Sequence, residues 1–451
     1  MSTGNDEEEG DTTVGHARRL LATTAVVALA ATACAVGDSS DDSADSGRTV
    51  VTFRLWDEQV AKAYEKSFAA FEKEHPDIDV QIQLVPWADY WTKLPADISS
   101  GTVADIFWTN TSNFGIYADS GALIDVGAEL GDQQKDWKQS VVELYTRNGK
   151  LWGVPQLWDS IALFYNKKLL EEADIDPTTL HWDPDPAKDT FLPAAKKLTM
   201  DAAGKRADEP GFDPTKIQQY GFNAALDPQG IYWNFVGSNG GIWQDGDAFD
   251  LDRPETVAAI EYVVDLINEH HVAPPAADTV NNGDRTRDLF VQGRMALFQS
   301  GPYHLKTIQE QADFEWGVAP MLEGPKGRIG VVHGVAAVAS SATKHREETL
   351  EVLRWLGSAE GQRPIAEGGY AFPGVTSVEQ AYVDYWTKQG VDLEAFLQSA
   401  SGETFPAPVG PRVNAGATAM DPILKEIFLG RRPVAEGLAE AERVGNAALE
   451  Q

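Results

Sequence analysis

Cysteine is nearly absent. A single one, Cys34, stands among 451 residues, which excludes an internal disulfide framework and any Cys-rich metal site. Basic residues are also scarce, since 37 Lys and Arg stand against 69 Asp and Glu for a formal net charge of -32. A nucleic-acid binder needs a basic stripe facing the phosphates, and no Lys/Arg cluster of that kind occurs. The 8 His are scattered, without metal-ligand spacing, and neither HExxH nor GxSxG is present. No metal or cofactor is therefore expected. Beyond the first few dozen residues, no segment is long and apolar enough to span a bilayer.

What is present begins with the surroundings of that cysteine. Arg18 and Arg19 introduce the apolar run LLATTAVVALAATA, which ends in small residues directly before Cys34. A basic start, a short apolar middle and a small-residue exit are the layout of a secretory signal, expected over 1–33. The sequence ATAC resembles a relaxed bacterial lipobox, with Ala31 where Leu is usual and an acidic leader, MSTGNDEEEGDTT, ahead of it. Cys34 is accordingly the expected lipidation site, leaving the protein anchored to the outer face of the cell membrane by lipid alone. Residues 34–48 contain VGDSSDDSADSGR, whose one large apolar residue is Val36, and read as a flexible tether.

The remainder exceeds what one core usually supports, so two domains or lobes are expected. VVTFRL reads as a strand, and VAKAYEKSFAAFEKEHP follows with Val60, Tyr64, Phe68 and Phe71 at helical spacing before Pro76 stops it. Val80, Ile82 and Leu84 then alternate at period two. Strand, helix, strand implies a parallel pair in an α/β sheet, and ligands of such sheets sit outside the carboxyl ends of the strands. ADIFW is a further short strand, and Tyr117 to Leu123 a short helix. HWDPDPAKDTFLPAAKKLT opens another helix with Asp183 as its cap, and GVAAVAS is a strand.

Several catalytic and metal signatures fail on inspection. Ser341 to Lys344 spells SxxK without a following KTG, and Tyr232-Trp233-Asn234 precedes it instead of following. The acidic loop DGDAFDLD has Asp250 where an EF-hand needs Gly and Thr256 where it needs Glu, so it reads as a solvated turn. What recurs is an aromatic residue beside a polar one at a strand end: Trp56 with Asp57 and Glu58, Trp87 with Asp89, Trp108 with Asn110, Trp158 with Asp159. Trp233, Tyr303 and His333 follow later. Planar rings for the apolar faces of a pyranose, with carboxylates and amides for its hydroxyls, are what sugar recognition requires.

The ordered blocks VTFRLWDE, FEKEHPDIDVQIQLVPWADYWTKL, ADIFWTNTSNFGIYADSGALIDV, LWGVPQLWDSIALFYNKKLL, WNFVGSNGGIW, LFVQGRMALFQSGPYHL and GVAAVASSATKHREETLEVLRWL carry a resemblance from Thr49 to beyond Phe372. Together they resemble a bacterial extracellular solute-binding protein of the maltose-binding-like class, the capture component of a sugar ABC importer. The resemblance implies an α/β, two-lobed, periplasmic-binding-protein-like fold whose hinged lobes close on a ligand in the cleft. One lobe is expected over 49–157 and 318–358, the other over 161–316 and 362–451. It also implies ligand contacts at Trp56, Asp57, Glu58, Trp108, Asn110, Trp158, Asp159, Trp233 and Tyr303, and at His333 and Gly334, where a Gly-rich stretch is common. Trp87 joins them from the pattern of aromatic-polar pairs. The expected partners are a di- or oligosaccharide and the permease subunits, with the protein itself a monomer. The competing expectation is a secreted glycoside hydrolase using two carboxylates such as Glu58 and Asp159.

Overall fold

The computed structural model describes residues 47–410 and 412–450. The expected signal segment, Cys34 and nearly all of the tether lie outside the described residues. Two sheets organise the rest. The larger contains β1 (Thr49–Leu55), β2 (Ile78–Leu84), β3 (Ile106–Asn110), β4 (Val154–Asp159), β8 (His333–Ala339) and β9 (Phe372–Pro373), in the spatial order β9-β4-β8-β3-β1-β2. The smaller contains β5 (Ala162–Asn166) between β6 (Leu297–Ser300) and β7 (Trp316–Pro320), both antiparallel to it.

The first β-α-β unit forms as its sequence dictates. β1 pairs with β2 in parallel, Val51 opposite Val80, and the intervening helix Glu58–Glu74 buries Val60, Tyr64, Phe68 and Phe71. Those side chains close over the sheet, with the Phe53 ring 5.0 Å from Tyr64 and 5.6 Å from Phe68, both edge-on. Each such burial contributes about 1.5–3 kcal/mol of apolar transfer free energy. A second core gathers Trp182, Phe191, Ile231, Phe235, Ile260, Val263 and Leu297, with the helices Val413–Phe428 and Val434–Leu449 packed around it.

Local differences from the sequence reading have identifiable causes. The helix expected to start near Asp183 starts at Phe191, because Asp189 Oδ1 accepts from the N–H groups of Phe191 at 2.8 Å and Leu192 at 3.0 Å. The helix placed at Tyr117–Leu123 occupies Thr111–Asp119, since Asn110 caps it. Residues 359–373, of which 362 onward were grouped with the second lobe, instead stay with the larger sheet. Helix Ala359–Glu367 receives the Ser67 hydroxyl at the Gly361 carbonyl, 2.7 Å, and Phe372 pairs with Trp158 across β4. The apolar edge of β4 is covered this way. Among the described residues, no helix is long and apolar enough to cross a membrane.

Candidate ligand cleft

Strand direction places the candidate residues. β1, β2, β3 and β4 run the same way and β8 runs against them, so the ends of the first four and the start of β8 share one edge of the sheet. Trp56 and Asp57 leave β1 at that edge, Trp87 follows β2, Asn110 closes β3, Asp159 closes β4 and His333 opens β8. This is the carboxyl edge, where α/β sheets take their ligands.

On the β1–β3 side the edge is an aromatic cluster. The Trp56 ring lies 5.4 Å from Trp87, 5.0 Å from Tyr90, 5.3 Å from Trp91 and 5.0 Å from Trp108. Trp108 is fully buried, whereas Trp87 is 52% exposed, so Trp87 offers the free indole face and Trp108 supports the cluster from beneath. Asp57 and Asn110 commit acceptors to local structure. Asp57 Oδ1 takes the N–H groups of Gln59 at 2.8 Å and Val60 at 3.0 Å, and Asn110 Oδ1 takes the Asn113 N–H at 3.1 Å. Burial pushes the Asp57 carboxyl up, and those two N–H groups pull it back. Glu58 is exposed and pairs with Lys62 at 3.1 Å.

On the β4–β8 side the two sheets meet. The backbone leaves the larger sheet at Asp159 and enters the smaller at Ala162, which lies opposite Ser300 and Pro320. Asp159 stands opposite His333 in register and accepts from Gln229 Nε2 at 2.9 Å. Burial pushes the Asp159 carboxyl up to about 7, with the Gln229 amide acting in the opposite direction. Burial likewise pushes the His333 imidazole down to about 3, so it is neutral at physiological pH, and its Nε2 has no partner among the described residues. The Trp233 ring runs parallel to His333, 14° between planes and 6.4 Å between centroids, and its indole N–H is unpartnered in the same sense. Tyr303 is 40% exposed, receives the Ser300 hydroxyl at 3.3 Å, and lies within electrostatic reach of both Asp159 and Asp227. The junction thus combines a carboxylate acceptor, unpaired ring nitrogens and aromatic surface.

Two expected contacts face elsewhere. Side chains alternate along a strand, so Trp158 and Asp159 project to opposite faces. Trp158 is 1% exposed, donates to Glu379 Oε2 at 3.1 Å, stacks on Phe372 at 4.3 Å and carries Lys138 Nζ 4.1 Å from its ring centroid. Gly334 is a packing glycine: a Cβ there would fall 2.7 Å from Val141 Cγ1, and its carbonyl accepts from the Tyr145 hydroxyl at 2.8 Å. The acidic loop brings Asp250 and Asp252 to within 4.8 Å of Glu442, carboxylate oxygen to oxygen. Glu442 there accepts from the Leu251 N–H at 2.7 Å, while Arg253 pairs with Asp250 at 2.6 Å, which accounts for the convergence without an ion.

Residues 56–363 match the family of bacterial extracellular solute-binding proteins. The protein belongs to that family. This solute-binding protein is 45% identical to UspC of M. tuberculosis, over 88% of its own length and 100% of UspC, with a TM-score of 0.71. It is 25% identical over 368 residues to the maltooligosaccharide ABC transporter solute-binding lipoprotein of Streptococcus pneumoniae, covering 79% of its own length and 80% of that relative. It shares its fold with Lmo0181 of Listeria monocytogenes, an ABC substrate-binding protein solved in complex with cycloalternan, at TM-score 0.76 and 22% identity, over 89% and 99% of the two proteins. The two-lobed fold expected from the sequence is the fold of these relatives.

Several residues of the solute-binding protein's junction escaped the sequence reading. Gln229 and Asp227 lie in the turn before Trp233, within LDPQGIYW, and no aromatic-polar pair marks it. The Asp-Pro step was the available signal, since Asp227 caps the turn by accepting from the Gly230 N–H at 3.0 Å. Gln299, buried in β6, donates to the Gly230 carbonyl at 3.0 Å and holds that turn against the smaller sheet. A buried Gln inside an apolar strand could have been flagged as an obligatory hydrogen-bonding group.

Proposed function

We propose that this protein captures a carbohydrate, a di- or oligosaccharide, outside the cell and delivers it to the permease of an ABC importer. The single observation that carries the reading is the junction at Asp159, where an acceptor carboxylate, two unpartnered ring nitrogens and the Tyr303 ring collect between two sheets. Buried polar groups require partners, and sugar hydroxyls supply both donors and acceptors at short range. The ligand names of the maltooligosaccharide lipoprotein and of Lmo0181 support the same class. Capture proceeds by lobe closure: the sugar docks on one lobe, and the closed state is favoured by the contacts added across the cleft.

The lobes we propose are 49–157 with 333–373, against 161–331 with the C-terminal helices Val413–Phe428 and Val434–Leu449. Cys34 is the proposed lipid attachment point, with the protein held at the outer face of the cell membrane as a monomer. The ligand is released unchanged. Of the carboxylates a hydrolase would need, Glu58 is turned to solvent and engaged with Lys62, which favours binding over hydrolysis.

The test is calorimetric titration of wild type, Asp159→Ala and Trp233→Ala with mono- and oligosaccharides, followed by chromatography of the recovered sugar. Saturable binding by wild type, loss of at least about tenfold in both variants and intact sugar are expected, since Asp159→Ala strands the Gln229 amide and Trp233→Ala removes aromatic surface and an N–H donor. Unchanged affinity in both variants would remove this junction as the site, and hydrolysis products would establish an enzyme.

A further inference from the structure

The bond from Gln229 to Asp159 joins two separately built halves. Asp159 ends β4 of the larger sheet, while Gln229 lies in the turn Pro228–Tyr232, which packs on the smaller sheet's side. That turn has little freedom. The Gln229 carbonyl accepts from Asn234 Nδ2 at 2.7 Å, the Gly230 N–H donates to Asp227 Oδ1 at 3.0 Å, and the Gly230 carbonyl accepts from Gln299 Nε2 at 3.0 Å. Gln299 is itself fixed, its N–H donating to Asn223 Oδ1 at 2.8 Å. A Cβ at Gly230 would meet Asp227 Oδ2 at 2.4 Å, so glycine is required for this close approach. A five-residue π-type turn of this kind is a rare local geometry, found frequently at functional sites.

The consequence lies in the lone pairs. A free carboxylate can accept from two neighbouring hydroxyls, one per oxygen, which makes it tolerant of either arrangement. Here Asp159 Oδ1 is committed to the Gln229 amide, and Oδ2 has no donor among the described residues. A hydroxyl bonded to Oδ2 has its direction set by the plane in which Gln229 holds the carboxylate, and a neighbouring hydroxyl meets the carboxamide.

Resting on the sugar-capture reading, we propose that Gln229 is a specificity-determining residue: with Asp159 it forms a mixed carboxylate–carboxamide pair that selects among sugars differing in the configuration of one hydroxyl. Asp159 supplies affinity. Gln229 supplies discrimination, because an epimer places its hydroxyl away from Oδ2 and leaves that oxygen without a donor in the closed cleft, and an unpaired polar group shielded from water is the larger penalty. The titratable groups that feel Asp159 are Tyr303 from the smaller sheet's side, Tyr145, and Tyr382 from helix Glu379–Lys388, with His333 of β8 opposite it in register; Asp227 also acts on Tyr303.

The experiment titrates wild type, Gln229→Ala and Gln229→Glu with D-glucose, D-galactose, D-mannose and the disaccharides they terminate, at about pH 5 and about pH 8, on either side of the buried carboxyl's titration. For Gln229→Ala, the ratio of dissociation constants between the best and worst epimer is expected to shrink at least about tenfold while binding persists. Gln229→Glu is expected to lose affinity at the higher pH and regain it at the lower, where one proton shared by the two carboxyls restores the bond. The pH recovery tests the bond to Asp159, and the epimer ratio separates a specificity role from a structural role alone. A uniform loss across the panel with the epimer ratio preserved, or no change in either variant, overturns the assignment while leaving sugar capture standing. Failure of wild type to bind any sugar in the panel defeats both.

Discussion

Asp159 carries a cost in stability that its neighbours only partly offset. Its carboxyl is pushed up to about 7 by burial, above the unfolded value of about 3.9. The sign follows: the group's contribution to folding is fully present below about pH 4 and is lost as pH rises through about 7. Asp159→Asn removes the titration while keeping an acceptor. The variant should therefore gain on wild type as pH rises, by on the order of 2 kcal/mol at about pH 8 and least at about pH 4. Urea midpoints at the two pH values decide it, and a difference independent of pH would show that burial does not strain this carboxylate. His333 stays neutral in the folded protein across that range while the unfolded imidazole takes up a proton below about 6.5, so its burial costs stability as pH falls; wild type and variant share that cost, and it cancels between them.

The helices and strands around the cleft do two jobs with the same residues. Asp57 follows β1 at the ligand edge and caps helix Glu58–Glu74 with two N–H bonds. Asp57→Ala should lower stability by about 1 kcal/mol through the lost cap, read as a drop in melting temperature. If sugar affinity stays within about twofold once the fold is intact, Asp57 is a cap and no more. Gly334 lets β8 approach Val141, and Gly334→Ala should cost about 1–3 kcal/mol by overpacking, measured by urea denaturation. A cost near zero would mean the segment Gln139–Leu144 gives way freely. The strand and helix content here was legible because Val51, Phe53, Val60, Tyr64, Phe68 and Phe71 keep their periods without interruption. The cap at Asp189 was less so, since DPDPAKD offers several equally plausible Asp residues and only packing of Phe191 chooses one.

The acidic excess and the two-lobed build govern how the molecule responds as a unit. With a formal net charge of -32, like charges repel across the folded surface, and salt screens that repulsion. The melting temperature should rise between about 0.02 M and about 0.5 M NaCl; a fall would mean that attractive pairs such as Arg54 with Asp97 dominate instead. A sugar that binds only the folded protein, present at about a hundred times its dissociation constant, should stabilise by about 2.7 kcal/mol. The halves are already linked beyond the hinge: Asn414 Nδ2, from the helix Val413–Phe428, donates to Asn113 Oδ1 at 3.2 Å on the helix that follows β3.

Local pattern was enough to read the first β-α-β unit and the family, because periodicity and strand order are both written along the backbone. Neighbours on a strand face opposite ways, so Trp158 and Asp159 could not both enter the cleft. Which of the two faces became the cleft was settled by distant contacts. Phe372 and Glu379 arrive from more than two hundred positions away to enclose Trp158, leaving Asp159 on the opposite face. Gln229 likewise reaches Asp159 across 70 positions, and the turn that aims it is held by Asn234 and Gln299. The division follows from the range of the forces: backbone preference acts within a few residues, whereas burial and hydrogen-bond pairing are settled by whatever folding brings alongside.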